Sequence, residues 1–227
     1  MSTSADRPSI LLVHGAWHGA WCFDGLRPLL DAAGRRTHTV DLPTASSATA
    51  GLVDDVRAVR AALGRIDGPT AVVAHSYGGV PVTEALTEAP NAVHAVFLAA
   101  YPLEAGESLA SFLGLPESGD AVGSVPPPED ARELFFGDAA EEAAERALAR
   151  LTPQSARSFR ERVTTAGWRS TRSSYIVCDD DLALAPAHQE RLAARTDTVH
   201  HLPGSHSPFL SRPTELAALL DRIATTG

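Results

Sequence analysis

Ser76 stands in a setting that can make its hydroxyl a nucleophile. The aliphatic run Ala71–Ala74 predicts a buried strand, and the stretch Val82–Ala89 after Ser76 has a helical pattern. Small residues two positions before and after the serine, here Ala74 and Gly78, let a strand turn sharply into a helix and expose Oγ. This nucleophile elbow predicts acyl transfer through Ser76. Capping of the following helix is the alternative role for the serine.

A histidine near the C-terminus is placed to act as the general base. The run Thr198–Leu202 predicts a strand, and His206 lies in the loop that follows it. Because the carboxyl ends of parallel strands meet at one edge of a sheet, we expect His206 beside Ser76. His200 and His201 lie within or at the edge of the strand, so we interpret them as ordinary strand residues.

Three consecutive aspartates offer an acid to orient the histidine. Asp179, Asp180 and Asp181 follow the predicted strand Ser174–Cys178, and the chain order of serine, acid and histidine suits a strand-turn-helix nucleophile. A carboxylate at this position would hold the imidazole in the correct tautomer and stabilise the imidazolium. Spacing alone leaves all three as candidates, and an acidic turn explains the other two.

A glycine-rich loop, His14–Trp21, follows the first predicted strand. The backbone amides of Ala16 and Tyr77 are expected to bind the oxyanion, and removing one such donor costs roughly 3–4 kcal/mol of transition-state stabilisation. His14 and His18 raise the alternative of a metal site. The glycines between them disfavour a helix, so we expect both imidazoles to brace the loop through hydrogen bonds and predict no metal and no cofactor.

These residues require a parallel sheet that brings several strand ends together. Short apolar runs alternate with amphipathic segments, of which Leu52–Leu63 has apolar residues at helical spacing. The pattern predicts an α/β fold with about six mainly parallel strands and helices on both faces. The predicted strands are Ile10–Val13, Thr37–Val40, Ala71–Ala74, Val93–Ala99, Ser174–Cys178 and Thr198–Leu202.

The alternation is interrupted between Tyr101 and Arg172, where strand signals vanish. A stretch rich in proline, glycine and serine, 114–128, precedes an acidic, alanine-rich stretch that predicts one helix over 129–150. We interpret about 101–170 as a helical lid inserted into a single domain, 1–227, whose core is 8–100 and 171–227. A mobile surface excursion is the alternative.

The composition is that of an ordinary globular protein, with 44% hydrophobic and 21% charged residues in 227. The net charge of -9 argues against nucleic acid or an anionic membrane as partner and leaves a small-molecule substrate. Cys22 and Cys178 lie in apolar stretches and resemble buried hydrophobic residues. Residues 1–8 lack a signal-peptide pattern and no apolar run reaches membrane-spanning length, so we predict a cytoplasmic protein.

Four motifs together resemble one branch of a known superfamily. They are Leu12–Trp21, His75–Gly79, Tyr175–Asp181 and Gly204–His206. They are similar to those of the plant methylesterase and hydroxynitrile lyase group of α/β-hydrolases, with its small bacterial esterase-like relatives. The resemblance covers nearly the whole chain. It implies Asp181 as the acid, because the family uses the last residue of the triplet, and it implies a lid that holds the substrate against the triad.

Two departures from that group bear on the reaction. Its cyanohydrin-cleaving members carry threonine where this chain has Gly15, and lysine after the catalytic histidine where this chain has Ser207. Both differences argue against lyase activity. A serine at position 76, rather than the aspartate of related branches, likewise argues against dehalogenase and epoxide hydrolase chemistry.

The sequence therefore predicts a serine hydrolase that cleaves a small or medium apolar carboxylic ester through an acyl-enzyme. Activity should rise with pH around the ordinary histidine pKa of about 6.5. One alternative is a lactone- or polyketide-like substrate, and another is a ligand-sensing protein that retains the triad. The residues predicted to contact the substrate, each with core packing as its alternative role, are Trp17, Tyr101, Leu103, Phe112 and Trp168.

Overall fold

The computed structural model describes residues 7–116 and 122–225, and within them six parallel strands form one sheet. The first six residues of the N-terminal stretch discussed above lie outside the described part. The strands are β1 (Ser9–Val13), β2 (Thr37–Val40), β3 (Thr70–His75), β4 (Ala92–Leu98), β7 (Ser173–Cys178) and β8 (Thr198–Leu202). Their order across the sheet is β2-β1-β3-β4-β7-β8.

Register places the ends of the central strands side by side. Val13 at the end of β1 pairs with Ala74 of β3, and His75 pairs with Leu98 at the end of β4. On the other side of β4, Cys178 of β7 pairs with Leu202 of β8. Because all these strands run in the same direction, the loops that follow them emerge at one edge of the sheet.

Helices cover both faces of the sheet. Leu11 and Val13 of β1 face one layer of apolar side chains, and Ile10 and Leu12 face the other, as expected for a strand buried on both sides. The helices of the first layer are α2 (Leu52–Leu63), α3 (Gly79–Ala85) and α8 (Pro186–Ala193), and those of the second are α1 (Arg27–Ala32), α9 (Pro208–Ser211) and α10 (Pro213–Thr225). The predicted fold class is confirmed.

Residues 101–170, called the insertion below, connect β4 to β7 through short elements. Its helices are α4 (Leu109–Phe112), α5 (Ala131–Phe136), α6 (Glu141–Leu148) and α7 (Ala156–Arg160), and its strands are β5 (Ser124–Val125) and β6 (Gln154–Ser155). The two strands pair antiparallel. The sequence did not predict this pairing, because two-residue strands are too short to show a period. Residues 117–121 of the predicted proline-rich stretch lie outside the described part.

The single helix predicted over 129–150 is wrong, since the chain forms two helices with a break at Gly137 and Asp138. The break turns the Asp138 carboxylate toward the loop after β8, where the hydroxyl of Ser205 donates a hydrogen bond to it and Arg212 lies 3.6 Å away. Polar contacts between distant segments thus outweigh the local helical pattern.

The insertion has a small apolar core of its own. Its members pack against Trp17, Trp21 and Leu210 of the sheet-bearing part of the chain. They are Ala131, Phe135, Phe136, Ala139, Ala144 and Ala147. This core fixes α5 and α6 over the edge of the sheet at which the loops emerge.

Candidate active site

Ser76 occupies a sharp turn between β3 and α3. Its φ is +51°, a left-handed conformation that is uncommon for a residue with a side chain and costs of order 1–3 kcal/mol. Gly78 is required by a close approach, because a Cβ there would lie 2.5 Å from the carbonyl oxygen of His14. The serine is half-buried, whereas the residues on either side of it are buried. The predicted elbow is therefore present, and it directs the serine toward a cavity.

His206 and Asp181 form a buried hydrogen-bonded pair. The distance from His206 Nδ1 to Asp181 Oδ2 is 2.7 Å, and the side chains are 3% and 0% exposed. Asp181 Oδ1 also accepts hydrogen bonds from the amides of Ala183 and Leu184, both at 2.8 Å. Since the carboxylate oxygens are acceptors for these donors, Nδ1 of the imidazole carries the proton and Nε2 offers a lone pair.

Gln189 on α8 completes the surroundings of the carboxylate. Its Nε2 lies 2.9 Å from Asp181 Oδ2, and the residue is fully buried. Gln189 also receives the amide hydrogen of Cys178, at 3.0 Å, so it ties the end of β7 to the acid. The sequence analysis missed this residue, and its only signal was a polar side chain on the buried side of an amphipathic helix.

The other two aspartates of the triplet face elsewhere. Asp179 is exposed and lies 2.8 Å from His201 Nδ1, and that hydrogen bond raises the pKa of His201. Asp180 is exposed and accepts the amide hydrogen of Gly204 at 3.1 Å. The structure thus places Asp181, the residue implied by resemblance, beside the histidine and the other two in a surface turn.

Two further buried histidines lie behind His206. His75 Nε2 donates to the carbonyl oxygen of His206 at 2.9 Å, and the two rings are 4.7 Å apart. Burial holds the pKa of His75 well below its usual range and lowers that of His18 to about 3. Both imidazoles are therefore neutral near pH 7. His75 therefore holds the backbone of the loop after β8, called the histidine loop below, and neither imidazole adds a positive charge beside His206.

The loop after β1 reaches across to Ser76. A Cβ on Gly15 would lie 2.9 Å from Cβ of Ser76, so only glycine fits this approach. His14 Nε2 accepts the amide hydrogen of Leu42 at 3.0 Å, which leaves Nδ1 to donate to the carbonyl of Gly15 at 2.8 Å. His18 Nδ1 similarly lies 2.8 Å from the carbonyl of Ala16. The prediction that both imidazoles brace this loop is confirmed.

A cavity of about 540 Å³ opens above Ser76 and His206. Aromatic rings form part of its wall, with Trp17 5.7 Å from Phe135 and 5.5 Å from Phe159. Its lining also includes both predicted oxyanion residues and, among the described residues, a single arginine, Arg160, and no lysine. The remaining residues around it are Tyr101, Leu109, Ala110, Leu113, Leu115, Pro116, Val125, Pro128, Leu134, Ala156 and Ala183.

Of the five predicted substrate contacts, Trp17 and Tyr101 line this cavity, and Leu103, Phe112 and Trp168 do not. Leu103 is fully buried in the layer between sheet and helices, and its carbonyl accepts the indole hydrogen of Trp168 at 2.8 Å. Phe112 packs edge-on against Tyr101 and is not among the residues that line the cavity. These three predictions are corrected, because apolar residues of the insertion also pack it onto the sheet.

The residues that replace them come from α4 and the residues that follow it, from α5 and from α7. Phe159 and Leu134 belong to short helices whose apolar faces turn toward the cavity. A helix of five or six residues gives too few turns for its inward face to be read from sequence spacing. The sequence therefore predicted an apolar pocket from the insertion but not which side chains form it.

Three further properties of residues 7–116 and 122–225 bear on function. No cluster of three or more His, Cys, Asp or Glu side chains suited to a metal occurs in that part of the chain. Its two thiols, Cys22 and Cys178, are buried, and burial raises the pKa of each well above its usual range. Among the described helices, none is long and apolar enough to cross a membrane.

A parallel sheet with a serine at a strained strand-to-helix turn, and a histidine-aspartate pair at the same edge, defines a hydrolase of the α/β type. The model of the alpha/beta hydrolase family matches residues 10–219, and the chain belongs to this family. The family predicted from the motifs, and the enzyme class of hydrolase, are confirmed.

Several esterases are similar to the whole chain. Methyl jasmonate esterase 1 of Vitis vinifera is 29% identical, covering 94% of this chain and 95% of the relative. The pyrethroid hydrolase of Sphingobium wenxiniae is 28% identical, covering 92% of this chain and 84% of the relative. The crystal structure of methylesterase MES16 from Arabidopsis superposes with a TM-score of 0.84 at 26% identity, covering 97% of this chain and 100% of that one.

Proposed function

We propose that the protein hydrolyses carboxylic esters through Ser76, His206 and Asp181. The observation that carries the proposal is the buried Asp181–His206 hydrogen bond of 2.7 Å, formed at the wall of the same cavity that the strained Ser76 faces. Similarity over the full chain to a methyl jasmonate esterase and a pyrethroid hydrolase supports the same reaction class.

In the proposed mechanism, Ser76 Oγ attacks the ester carbonyl carbon and His206 Nε2 takes the hydroxyl proton. Asp181 holds the imidazole in place and stabilises the imidazolium. His206 then gives the proton to the departing alcohol, which leaves an acyl group on Ser76. Water, deprotonated by His206, attacks this acyl group, and the carboxylic acid leaves as Oγ regains a proton.

The amides of Ala16 and Tyr77 are proposed to stabilise the oxyanion. Both residues line the cavity beside Ser76 and both are buried, at 5% and 1% exposure. Hydrogen bonds from backbone amides in such a water-poor site act on the charge that develops in the tetrahedral intermediate. Because these amides are held by the backbone, they need no reorganisation as the charge develops.

The cavity favours an apolar ester of moderate size. Its volume of about 540 Å³ lies within the range of sites for small molecules, and its lining is mostly aliphatic and aromatic. We propose that the insertion acts as a lid, since most of the lining residues belong to it. Leu113, Leu115 and Val125 line the cavity and are also exposed to solvent, so we place its mouth there.

Hydrolysis is favoured over cyanohydrin cleavage by the space around Ser76. A threonine at position 15, as in the lyase members of the resembled group, would bring its Cβ to 2.9 Å from Cβ of Ser76. Position 207, where those members carry lysine, holds a serine that is 1% exposed and packed inside the loop. Neither position has room for the lyase residue without movement of the backbone.

The test is labelling and turnover with defined esters. A fluorophosphonate probe should label the wild type and fail to label Ser76→Ala, and the wild type should hydrolyse p-nitrophenyl butyrate in a Ser76-dependent way. Ser207→Ala is the matched control, because it removes a neighbouring buried hydroxyl outside the proposed triad. Labelling that persists in Ser76→Ala would contradict the proposal.

A substrate panel then separates the alternatives raised by the sequence. Linear p-nitrophenyl esters of two to eight carbons are compared with γ- and δ-lactones at equal concentration. Turnover of lactones alone would reassign the substrate class while leaving Ser76 as the nucleophile. Saturable binding of these compounds without any turnover would instead indicate a ligand-sensing protein.

A further inference from the structure

A hydrogen-bonded chain of buried polar side chains runs behind the cavity wall, from Tyr77 to the residue that follows Ala16. It passes from the Tyr77 hydroxyl through Asp55 of α2 and Thr44 to Gln154 of the insertion. Gln154 in turn accepts the amide hydrogen of Trp17. Asp55, Thr44 and Gln154 do not line the cavity, and the proposed mechanism does not use them.

Asp55 is the acceptor at the centre of this chain. It is fully buried, and its Oδ2 receives hydrogen bonds from the Tyr77 hydroxyl at 2.7 Å and the Thr44 hydroxyl at 2.5 Å. Its Oδ1 receives the amide hydrogen of Thr44 at 3.0 Å. Burial raises the pKa of Asp55 to about 6, against the effect of these donors. A buried carboxylate is costly to keep, so its partners are held firmly in place.

Gln154 links the insertion to this acceptor. The residue is fully buried, and its Nε2 donates to Thr44 Oγ1 at 2.7 Å and to Ser158 Oγ at 2.9 Å. Its Oε1 accepts the amide hydrogen of Trp17 at 3.2 Å. Both polar atoms of the Gln154 side chain therefore take part in hydrogen bonds, and the three partners lie in different segments of the polypeptide.

Trp17 is the residue on which this link acts. Its φ of +62° is unusual for a bulky side chain and must be held by its surroundings. Besides the bond to Gln154, its carbonyl accepts the amide hydrogen of Thr152 at 2.9 Å, and its indole nitrogen donates to the carbonyl of Val125 at 3.0 Å. The insertion thus determines the conformation of the peptide unit next to Ala16.

We propose that Gln154 and Asp55 are positioning residues that fix the Ala16 and Tyr77 amides relative to each other, so that the insertion completes the oxyanion hole. This inference rests on the proposed function. Gln154 holds the loop side through Trp17, and Asp55 holds the elbow side through the Tyr77 hydroxyl. Thr44 joins the two, since its hydroxyl accepts from Gln154 and donates to Asp55.

The expected signature is a loss of kcat with little change in KM. Displacing a catalytic group by about 1 Å can cost about 100-fold in rate, so we expect Gln154→Ala to lower kcat about 10- to 100-fold. Asp55→Asn, which keeps the shape but offers an N–H to the Tyr77 hydroxyl, should lower it about 5- to 20-fold. Because Gln154 and Asp55 act through the same hydrogen-bonded chain, the loss of kcat in the double variant should be smaller than the product of the two single losses.

Ser155→Ala is the matched control. Ser155 is the neighbour of Gln154 in β6, is equally buried, and donates to the carbonyl of Ala50 at 2.7 Å, outside the chain described above. The substitution Ser155→Ala therefore removes a buried hydrogen bond between the insertion and the core without altering the contacts of Trp17 or Asp55. We expect its kcat to stay within about threefold of the wild type.

The experiment measures kcat and KM for p-nitrophenyl butyrate, with active sites counted by fluorophosphonate labelling. The Ki of butylboronic acid, which forms a tetrahedral adduct on serine, reports on the oxyanion hole directly. We expect this Ki to rise in Gln154→Ala in proportion to the loss of kcat. In Ser155→Ala, the Ki should stay near the wild-type value. If Gln154→Ala and Asp55→Asn both have the same kcat per labelled site as Ser155→Ala, the inference is overturned.

Further results distinguish a failure of this inference from a failure of a variant to fold and from a failure of the proposed function. If Gln154→Ala does not fold, Tyr77→Phe removes only the hydroxyl bonded to Asp55 and must give the same loss of kcat at constant KM. Single losses that multiply in the double variant would also overturn the inference. If the wild type shows no Ser76-dependent turnover, the proposed function itself fails, a result distinct from normal turnover with insensitive variants.

Discussion

The aspartate triplet after β7 allows a sharp test of the proposed triad, because three neighbouring carboxylates differ in their surroundings. Asp181 is 2% exposed and its two oxygens meet donors from His206, Gln189 and two backbone amides. Asn at this position keeps the size of the side chain. Its amide hydrogens, however, would face donors, and His206 would be driven toward the tautomer whose Nε2 carries a proton and cannot act as base.

The expected loss follows from that change of tautomer. Replacing a triad aspartate by asparagine lowers kcat about 10⁴-fold in a serine protease, which corresponds to roughly 5 kcal/mol at about 1.4 kcal/mol per factor of ten. We expect Asp181→Asn to lose at least about 10³-fold, since the carboxylate here is equally enclosed. Burial of one more unpaired donor should also destabilise the fold by about 1–3 kcal/mol.

The two neighbouring aspartates serve as controls in the same turn. Asp179→Asn removes an exposed ion pair with His201, in which the side chains are 40% and 53% exposed, and such pairs contribute little. Asp180→Asn keeps an oxygen able to accept the amide hydrogen of Gly204. Both variants should keep kcat within about threefold of the wild type.

The assay is steady-state hydrolysis of p-nitrophenyl butyrate at pH 7.5, with folded protein verified by circular dichroism and thermal unfolding. One large loss at Asp181 and two small ones are expected. Equal losses at all three positions, or the largest loss at Asp179 or Asp180, would refute the assignment of the acid. Retained activity in folded Asp181→Asn would refute the role of a carboxylate altogether.

Three further predictions concern stability. Burial lowers the pKa of His18 to about 3, so the unfolded chain binds a proton below about pH 6.5 that the native protein does not. The free energy of unfolding therefore decreases as pH falls from 6.5 toward 3, and His18 accounts for a loss of about 2 kcal/mol at pH 5. The free energy measured by urea unfolding should depend less steeply on pH in His18→Phe than in the wild type. An equally steep pH dependence in the variant would refute this role of His18. The side chain of Arg35 is 0% exposed and lies 2.6 Å from a carboxylate of α10. Arg35→Ala should therefore lower the free energy of unfolding by about 3–5 kcal/mol. Arg57, whose side chain is 72% exposed, is the control, and Arg57→Ala should lower it by under about 1 kcal/mol. Gly78→Ala would place a Cβ 2.5 Å from a backbone carbonyl oxygen and should prevent normal folding, whereas Gly64→Ala, with its nearest contact at 3.4 Å, should unfold at nearly the wild-type urea concentration.

The insertion contributes to the site in more ways than by covering it. It supplies much of the cavity wall, holds Trp17 in a left-handed conformation through Gln154, and contacts the histidine loop through Asp138 and Ser205. The loop after β1, which carries Ala16, and the loop after β8, which carries His206, are therefore both tied to it. Truncation of the insertion should consequently impair the chemical step as well as substrate affinity.

The sequence by itself determined the sheet, the elbow and the loops that follow the strands. Runs such as Ile10–Val13 are short and wholly apolar, and a strand buried on both faces needs that composition regardless of its neighbours. The serine turn is equally local, because small residues at fixed distances from Ser76 satisfy a steric requirement within a few peptide units. His206 followed from the direction of the strands, which parallel pairing imposes on every loop of the sheet.

Residue spacing left open which aspartate faces the histidine, which side chains of the insertion line the cavity, and how the insertion reaches the loop after β1, and the tertiary structure decided these points. Asp179, Asp180 and Asp181 are equivalent in spacing, and only the packing of α8, with Gln189 against the end of β7, turns one of them inward. Trp168 and Phe159 are both apolar residues of the insertion, yet one packs under it and the other lines the cavity. These outcomes depend on contacts between residues far apart in the chain, and such contacts leave no periodic pattern in the sequence.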